Sequence, residues 1–199
     1  MITIRVLKLE DTKNIAALHE MAFGNFFLTS LGNSFLCKFY TSIIKSNEGV
    51  AIGAFDDKHE LVGFAVGAKT KNGFYKSLLK NNFISLSFSA SKSLLKKPTN
   101  VIRLAKSFLT TETSNENFLN YATLLSICTN PDKKGQKIGK YILEAFESEI
   151  NGYSDGITLT TDKLNNDYVN SFYISNNYIL TASFMQGSRE MNFYIKQLK

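Results

Sequence analysis

The residues best suited to chemistry lie in a basic loop, KKGQKIGK, at positions 133–140. An apolar, β-branched run (124–129) leads into it and is stopped by Pro131 and Asp132, and beyond it apolar residues recur at Ile138, Ile142, Phe146 and Ile150. The change from a strand pattern to a helical period predicts a strand–loop–helix unit. The first backbone N–H groups of a helix have no partner inside it, and the helix dipole adds partial positive charge, so such a loop suits phosphate. It matches neither common phosphate loop: the dinucleotide pattern needs three glycines, and the P-loop ends in Gly-Lys-Ser/Thr. No metal set is expected from the scattered His19, His59, Cys37 and Cys128. The cysteines fall in apolar patterns and read as reduced, buried thiols.

The elements that must position this loop follow from patterning. A chain of 199 residues, 44% of them apolar, fits one domain over 1–199 with a full core. Residues 2–8 alternate as a strand, and Asp11 or Thr12 caps a helix to about Phe23 with Ile15, Leu18, Ala22 and Phe23 on one side. His19 lies beside that stripe and reads as a structural or surface histidine. The loop GNFFLTSLGNS leads to a second helix, FLCKFYTSIIKS, with Phe35, Phe39, Ile43 and Ile44 toward the core. Residues 49–55 and 60–69 form a hairpin around an Asp-Asp-Lys-His turn that leaves His59 solvated. Over 70–120 two or three short helices are expected, one opened by Pro98 and carrying Val101, Ile102, Ala105, Phe108 and Leu109. A strand at 157–161, a helix and a hairpin of 178–185 with 190–195 complete the chain.

Charge is unevenly spread. Residues 68–111 hold nine basic side chains and no acid, leaving 14 basic against 17 acidic residues elsewhere. This segment is either an anion-collecting rim or a solvated surface. It lacks interleaved stacking aromatics at motif spacing, so no dedicated nucleic-acid binding is expected. The start, MITIRVLKLED, lacks the apolar core of a signal peptide, and no later run reaches membrane-spanning length, so a cytoplasmic protein is expected.

Two segments resemble motifs of the GNAT acyl-CoA N-acyltransferases. In the family's motif A a hydrophobic strand ends near a proline and Arg/Gln-x-x-Gly-x-Gly/Ala opens the helix; here Lys134 takes the Arg/Gln place, Lys137 the first glycine place and Gly139 the last. Lys137 departs most, since it adds a side chain where the family brings backbone close to the cofactor. It either supplies charge to the pyrophosphate or weakens binding. Motif B, Asn-x-x-Ala-x-x-Phe-Tyr followed by Gly-Phe, is matched by Asn166, Val169, Phe172 and Tyr173, with Asn177-Tyr178 in the Gly-Phe place. Asn readily accepts the left-handed conformation that ends a helix.

The resemblance implies an α/β (α+β) fold: a mixed, mostly antiparallel central sheet splayed around an acyl-CoA cleft, helices on both faces, and a helical insertion at about 70–120 between strands 3 and 4. It implies acetyl-CoA as co-substrate. The pyrophosphate would meet the loop at Lys134, Gly135, Gln136, Lys137, Ile138, Gly139 and Lys140, the pantetheine would pair with Ile127, Cys128 and Thr129, and Asn166 would contact the cofactor. Phe26 and Phe27, in the connection between the first two helices, would border the acceptor or else staple those helices. Tyr173 takes the general-acid place, or is a packed helix tyrosine. The family's strand glutamate has no counterpart in 121–129, leaving Glu112, Glu116 or Asp162 to act as base through water.

The function implied is N-acetyl transfer to a small-molecule amine, with the basic segment favouring an anionic acceptor such as an amino sugar nucleotide. Alternatives are a peptide or antibiotic amine, another acyl-CoA, an O-linked acceptor, or a non-catalytic regulatory domain with a degenerate cleft. A homodimer is left open.

Overall fold

The alternating N-terminal segment becomes β1 (Thr3–Val6), and the amphipathic repeats after it become α1 (Thr12–Ala22) and α2 (Asn33–Lys45). The unbroken apolar runs GVAIGAF and LVGFAVGA form β2 (Gly49–Phe55) and β3 (Leu61–Ala68), buried along nearly their whole length. Strands of this kind need cover on both faces. The computed structural model describes residues 1–24, 26–70, 74 and 118–198. It continues with β4 (Ala122–Thr129), α3 (Ile138–Ile150), β5 (Gly156–Asp162), α4 (Asp167–Ser175), β6 (Ile179–Gln186) and β7 (Arg189–Gln197). The expected insertion helices, with Pro98, Glu112 and Glu116, lie outside the described residues.

The strands form one sheet in the order β1-β2-β3-β4-β5-β7-β6, in which β4 and β5 are parallel and the other pairs antiparallel. This is the mixed, mostly antiparallel α/β sheet expected. On one face α1 and α2 bury Ile15, Phe35, Leu36 and Tyr40 against Phe64 and Val66. On the other, Ile142 and Phe146 of α3 pack on Val50, Ile52 and Ala65. Gly67 permits that approach, since a Cβ there would collide with the Phe146 ring and the Thr123 carbonyl.

Three local expectations change. Asp11 does not cap α1 with its side chain, because both carboxylate oxygens are taken by Arg5 at 2.8 Å and Oδ2 also accepts the Lys8 N–H at 2.7 Å. In α2, Ile44 is only partly buried while Tyr40 is wholly so. Cys128 is buried as expected, but Cys37 is half-exposed.

The sheet's irregularities matter most for the site. β4 and β5 pair only at Ala122–Ile157, Thr123–Thr158 and Leu124–Leu159 and then part. The vertex is fastened by hydroxyls: Ser154 Oγ accepts the Ala122 N–H at 2.7 Å, and Thr158 Oγ1 donates to the Ala122 carbonyl at 3.0 Å. On the other side of β4, Ser126 stands opposite Val66 and Leu124 opposite Gly67, which leaves Leu125 as the extra residue of a bulge.

Candidate active site

The parted strands, the 133–140 loop and the α1–α2 connection enclose a cleft of about 810 Å³. Every expected site residue among those described lines it. Ile127, Cys128 and Thr129 form the β4 wall, residues 134–140 the loop end, Asn166 and Tyr173 the α4 side, and Phe26 with Phe27 the α1–α2 side. Beyond Leu124 the edge of β4 that faces β5 has no strand partner among the described residues. Its backbone groups are open to an extended, amide-bearing ligand that adds as a strand.

The loop is shaped by two left-handed residues, Gly135 (φ 83°) and Lys137 (φ 58°, ψ 15°), the latter standing just before α3. The conformation at Lys137 is one that a glycine adopts without cost, a physical reason for the family's glycine at this place. Lys133 is anchored 3.5 Å from Asp56 in the β2–β3 turn, and Lys140 lies 3.7 Å from Glu144. The Glu60 N–H above all, with the Lys58 N–H and Lys133, holds the Asp56 carboxyl below its usual range. Lys134 and Lys137 have no ion-pair partner among the described residues. They remain available to an anion at the helix N-terminus.

Lys137→Gly should therefore raise stability. Relief of a left-handed L-residue is worth about 1–2 kcal/mol, and the added freedom of glycine in the unfolded chain takes back about 0.5–1 kcal/mol. A chemical-denaturation midpoint that falls relative to wild type would contradict this expectation.

α4 ends as expected from its sequence. Asn177 takes φ 67°, the Tyr178 N–H bonds the Tyr173 carbonyl and the Asn177 N–H bonds the Ile174 carbonyl, both at 3.0 Å. This Schellman arrangement drives Tyr178 into the core. Asn166 Nδ2 donates to Thr161 Oγ1 and to the Asp162 carbonyl, both at 2.9 Å, so this end of the amide fixes α4 to β5. Asn170, which the sequence reading passed over, holds the helix more fully: its Nδ2 donates to the Asp162 and Asn166 carbonyls, and its Oδ1 accepts from Asn192 Nδ2 and the Tyr194 hydroxyl. A hydrophobic period carries no sign of such a network.

Tyr173 is 5% exposed, with its ring set between Phe172, Tyr178 and Tyr194. Its hydroxyl makes no hydrogen bond among the described residues, and burial pushes its ionisation far above the usual tyrosine value. It is a neutral O–H donor at any ordinary pH.

On the acceptor side Phe26 is exposed at the cleft, edge-on to Phe23 at 5.2 Å, while Phe27 is partly buried against the α1–α2 core. Leu28 and Phe39 extend this apolar wall. Asp162, one of the bases considered from the sequence, is clamped by Arg189 with Nε to Oδ1 at 2.8 Å, so its carboxylate is already engaged. His19 is neither exposed nor remote: it is 3% exposed, borders the cleft, and its Nδ1 lies 2.6 Å from the Tyr40 hydroxyl. Its place beside the apolar stripe of α1 was visible in sequence, but the partner one helix away was not. Among the described residues, no three His, Cys, Asp or Glu side chains gather as a metal site, and no helix is long and apolar enough to cross a membrane.

No protein-family model matches the sequence, and no curated protein matches it. Solved structures do match in fold. A ribosomal-protein-alanine N-acetyltransferase of Escherichia coli superposes with a TM-score of 0.61 at 14% identity, covering 100% of this chain and 94% of that one. An acetyltransferase of the GNAT family from Bacillus cereus gives 0.61 at 12% identity over 99% and 97% of the two chains. The PaiA N-acetyltransferase of Thermoplasma acidophilum, in complex with coenzyme A, gives 0.59 at 18% identity over 99% of each. With the parted β4 and β5, the loop before α3 and both motifs in matching order, this chain has the GNAT acetyltransferase fold.

Proposed function

We propose that the protein is an N-acetyltransferase that moves the acetyl group of acetyl-CoA to a primary amine. The observation that carries this reading is a cleft that joins the open edge of β4 to a helix N-terminus with two lysines that have no ion-pair partner among the described residues. The residues fit the cofactor's chemistry: the open edge suits the two amides of pantetheine, and the amides of the 134–140 loop with Lys134 and Lys137 suit a pyrophosphate. Acetyl-CoA supplies an activated acyl carbon, and the protein supplies orientation, exclusion of water and proton management. The CoA-bound Thermoplasma structure supports this assignment by likeness of fold.

For the acceptor, the wall formed by Phe23, Phe26, Phe27, Leu28 and Phe39 favours an amine carried on an apolar body. The anionic amino sugar suggested by the basic segment rests on residues mostly outside those described, and it is the second reading. A cytoplasmic location, a single domain and a homodimer belong to the same proposal.

The test is release of free thiol from acetyl-CoA in the presence of 2-phenylethylamine, a peptide N-terminus, or glucosamine 1-phosphate. Turnover fastest with the first supports the apolar acceptor; fastest with the last supports the anionic one. Saturating CoA should also stabilise the fold, by about 2.7 kcal/mol at a hundred times Kd. Stabilisation by CoA with no thiol release from any amine would instead leave a regulatory CoA-binding domain.

A further inference from the structure

The acyl-transfer reading requires a group to take the proton of the attacking amine, and the β4 wall offers no carboxylate. What it offers is Ser126. This half-buried residue lines the cleft directly after the bulge at Leu125. The bulge sets Leu125 against the α1–α2 core and also brings the Ser126 hydroxyl beside the phenol of Tyr40. Tyr40 is fully buried, and its hydroxyl also lies 2.6 Å from His19 Nδ1. His19 in turn is buried, with Nε2 unpartnered among the described residues. A serine at a cleft wall, a buried phenol and a buried imidazole thus stand in a row. A purely structural histidine on an apolar helix face has no need of such a row, and an orphaned ring nitrogen carries a desolvation cost.

We propose that Ser126, Tyr40 and His19 form the proton-accepting relay for the acceptor amine, with Ser126 the group that touches the substrate and the Tyr40–His19 pair behind it. This inference rests on the acyl-transfer reading. The step balances as follows: the amine nitrogen bonds the acyl carbon and gives its proton to Ser126 Oγ, while the Ser126 hydroxyl proton passes to Tyr40 and the Tyr40 proton to His19 Nδ1. The C–S bond then breaks with its electron pair on sulfur. The direction of the relay requires the neutral imidazole to carry its hydrogen on Nε2, leaving Nδ1 to accept from Tyr40. Burial lowers the His19 pKa to about 4, so the ring is neutral at working pH. It holds the proton weakly and, once product leaves, gives it back along the same row to water in the cleft.

Two measurements test the relay. Long-range ¹H–¹⁵N spectra of the histidine rings are simple to assign, since the chain has two histidines and His59→Gln removes one. The proposal expects His19 as the neutral Nε2–H tautomer near pH 7; an Nδ1–H tautomer or an imidazolium would overturn it, whatever the activity. In the thiol-release assay, Ser126→Ala and Tyr40→Phe should each lower kcat about tenfold, less than the usual 10²–10⁴-fold of general-base effects because water can partly replace a lost hydroxyl. The KM for acetyl-CoA and the stabilisation by CoA should hold. A fall under about twofold in kcat for both variants, or a loss expressed in the KM for acetyl-CoA, would assign the row a packing role. If the wild type releases thiol with no amine, the acyl-transfer reading fails first and removes the relay's substrate, even where the tautomer is as expected.

Discussion

Tyr173→Phe should lower kcat at least about 10²-fold and leave the KM for acetyl-CoA almost unchanged. The variant removes one oxygen from a ring held by Phe172, Tyr178 and Tyr194, so packing is conserved and the fold should keep its melting temperature. No protein group loses a hydrogen-bond partner, because the Tyr173 hydroxyl has none among the described residues. What disappears is the hydroxyl of a residue that lines the cleft, where the departing thiolate would develop charge. Burial raises the ionisation of this phenol well above its usual value, so in the proposed reaction it would assist the sulfur by hydrogen-bond donation. The sign of the shift also sets the pH response: an acid whose ionisation is raised keeps its proton as pH climbs. The alkaline limb of kcat should therefore show no loss near 10 from this tyrosine. A kcat within about threefold of wild type, with chemistry shown to be rate-limiting, would make Tyr173 a packing residue alone.

Gly139→Asp should abolish detectable stabilisation by CoA while the protein stays folded. A Cβ at Gly139 meets the Phe172 ring at 3.7 Å and Thr129 at 3.8 Å, which are ordinary contacts. A carboxylate in the first turn of α3 is also favourable to the helix by itself. The new charge, however, occupies the place where Lys134, Lys137 and the helix N-terminus would receive a pyrophosphate. Like-charge juxtaposition in an interface costs several kcal/mol, so Kd for CoA should rise by roughly 10²-fold or more. Thermal shift with CoA and with adenosine as a phosphate-free control reads this directly. If the folded variant keeps the wild-type shift with CoA, the pyrophosphate lies elsewhere and the loop has another use.

How much of this site was legible before folding depends on which kind of information each part uses. The loop and α3 were readable because they are local: proline, turn residues and a helical period announce a strand, a stop and a helix within one stretch of chain, and α3 spans the residues that the period marked. The Schellman end of α4 was readable for the same reason, since Asn177 needs only its neighbours to adopt φ 67°. The all-apolar β2 and β3 signalled strands, although not which helices would cover them.

Tertiary structure decided the rest, and the common cause is sequence distance. The parting of β4 and β5 depends on pairing that stops at Leu124, and no residue type in either strand encodes that limit. Asp11 looked like a helix cap until Arg5 claimed its carboxylate, a competition that only the folded geometry resolves. Asn170 is one polar residue among several in NNDYVNSFY, and its importance comes from Asn192 and Tyr194 on β7. His19 shows the difference most plainly. Its composition and spacing marked a bystander, whereas burial, the Tyr40 hydroxyl and the bulge that brings in Ser126 give it a place at the cleft. The sequence by itself determined most of the described elements and the basic loop before α3, because helix periods, turns and helix termini are written in contiguous residues. Folding alone determined which side chains face one another across the cleft, because those partners come from separate elements whose register and splay are set by packing.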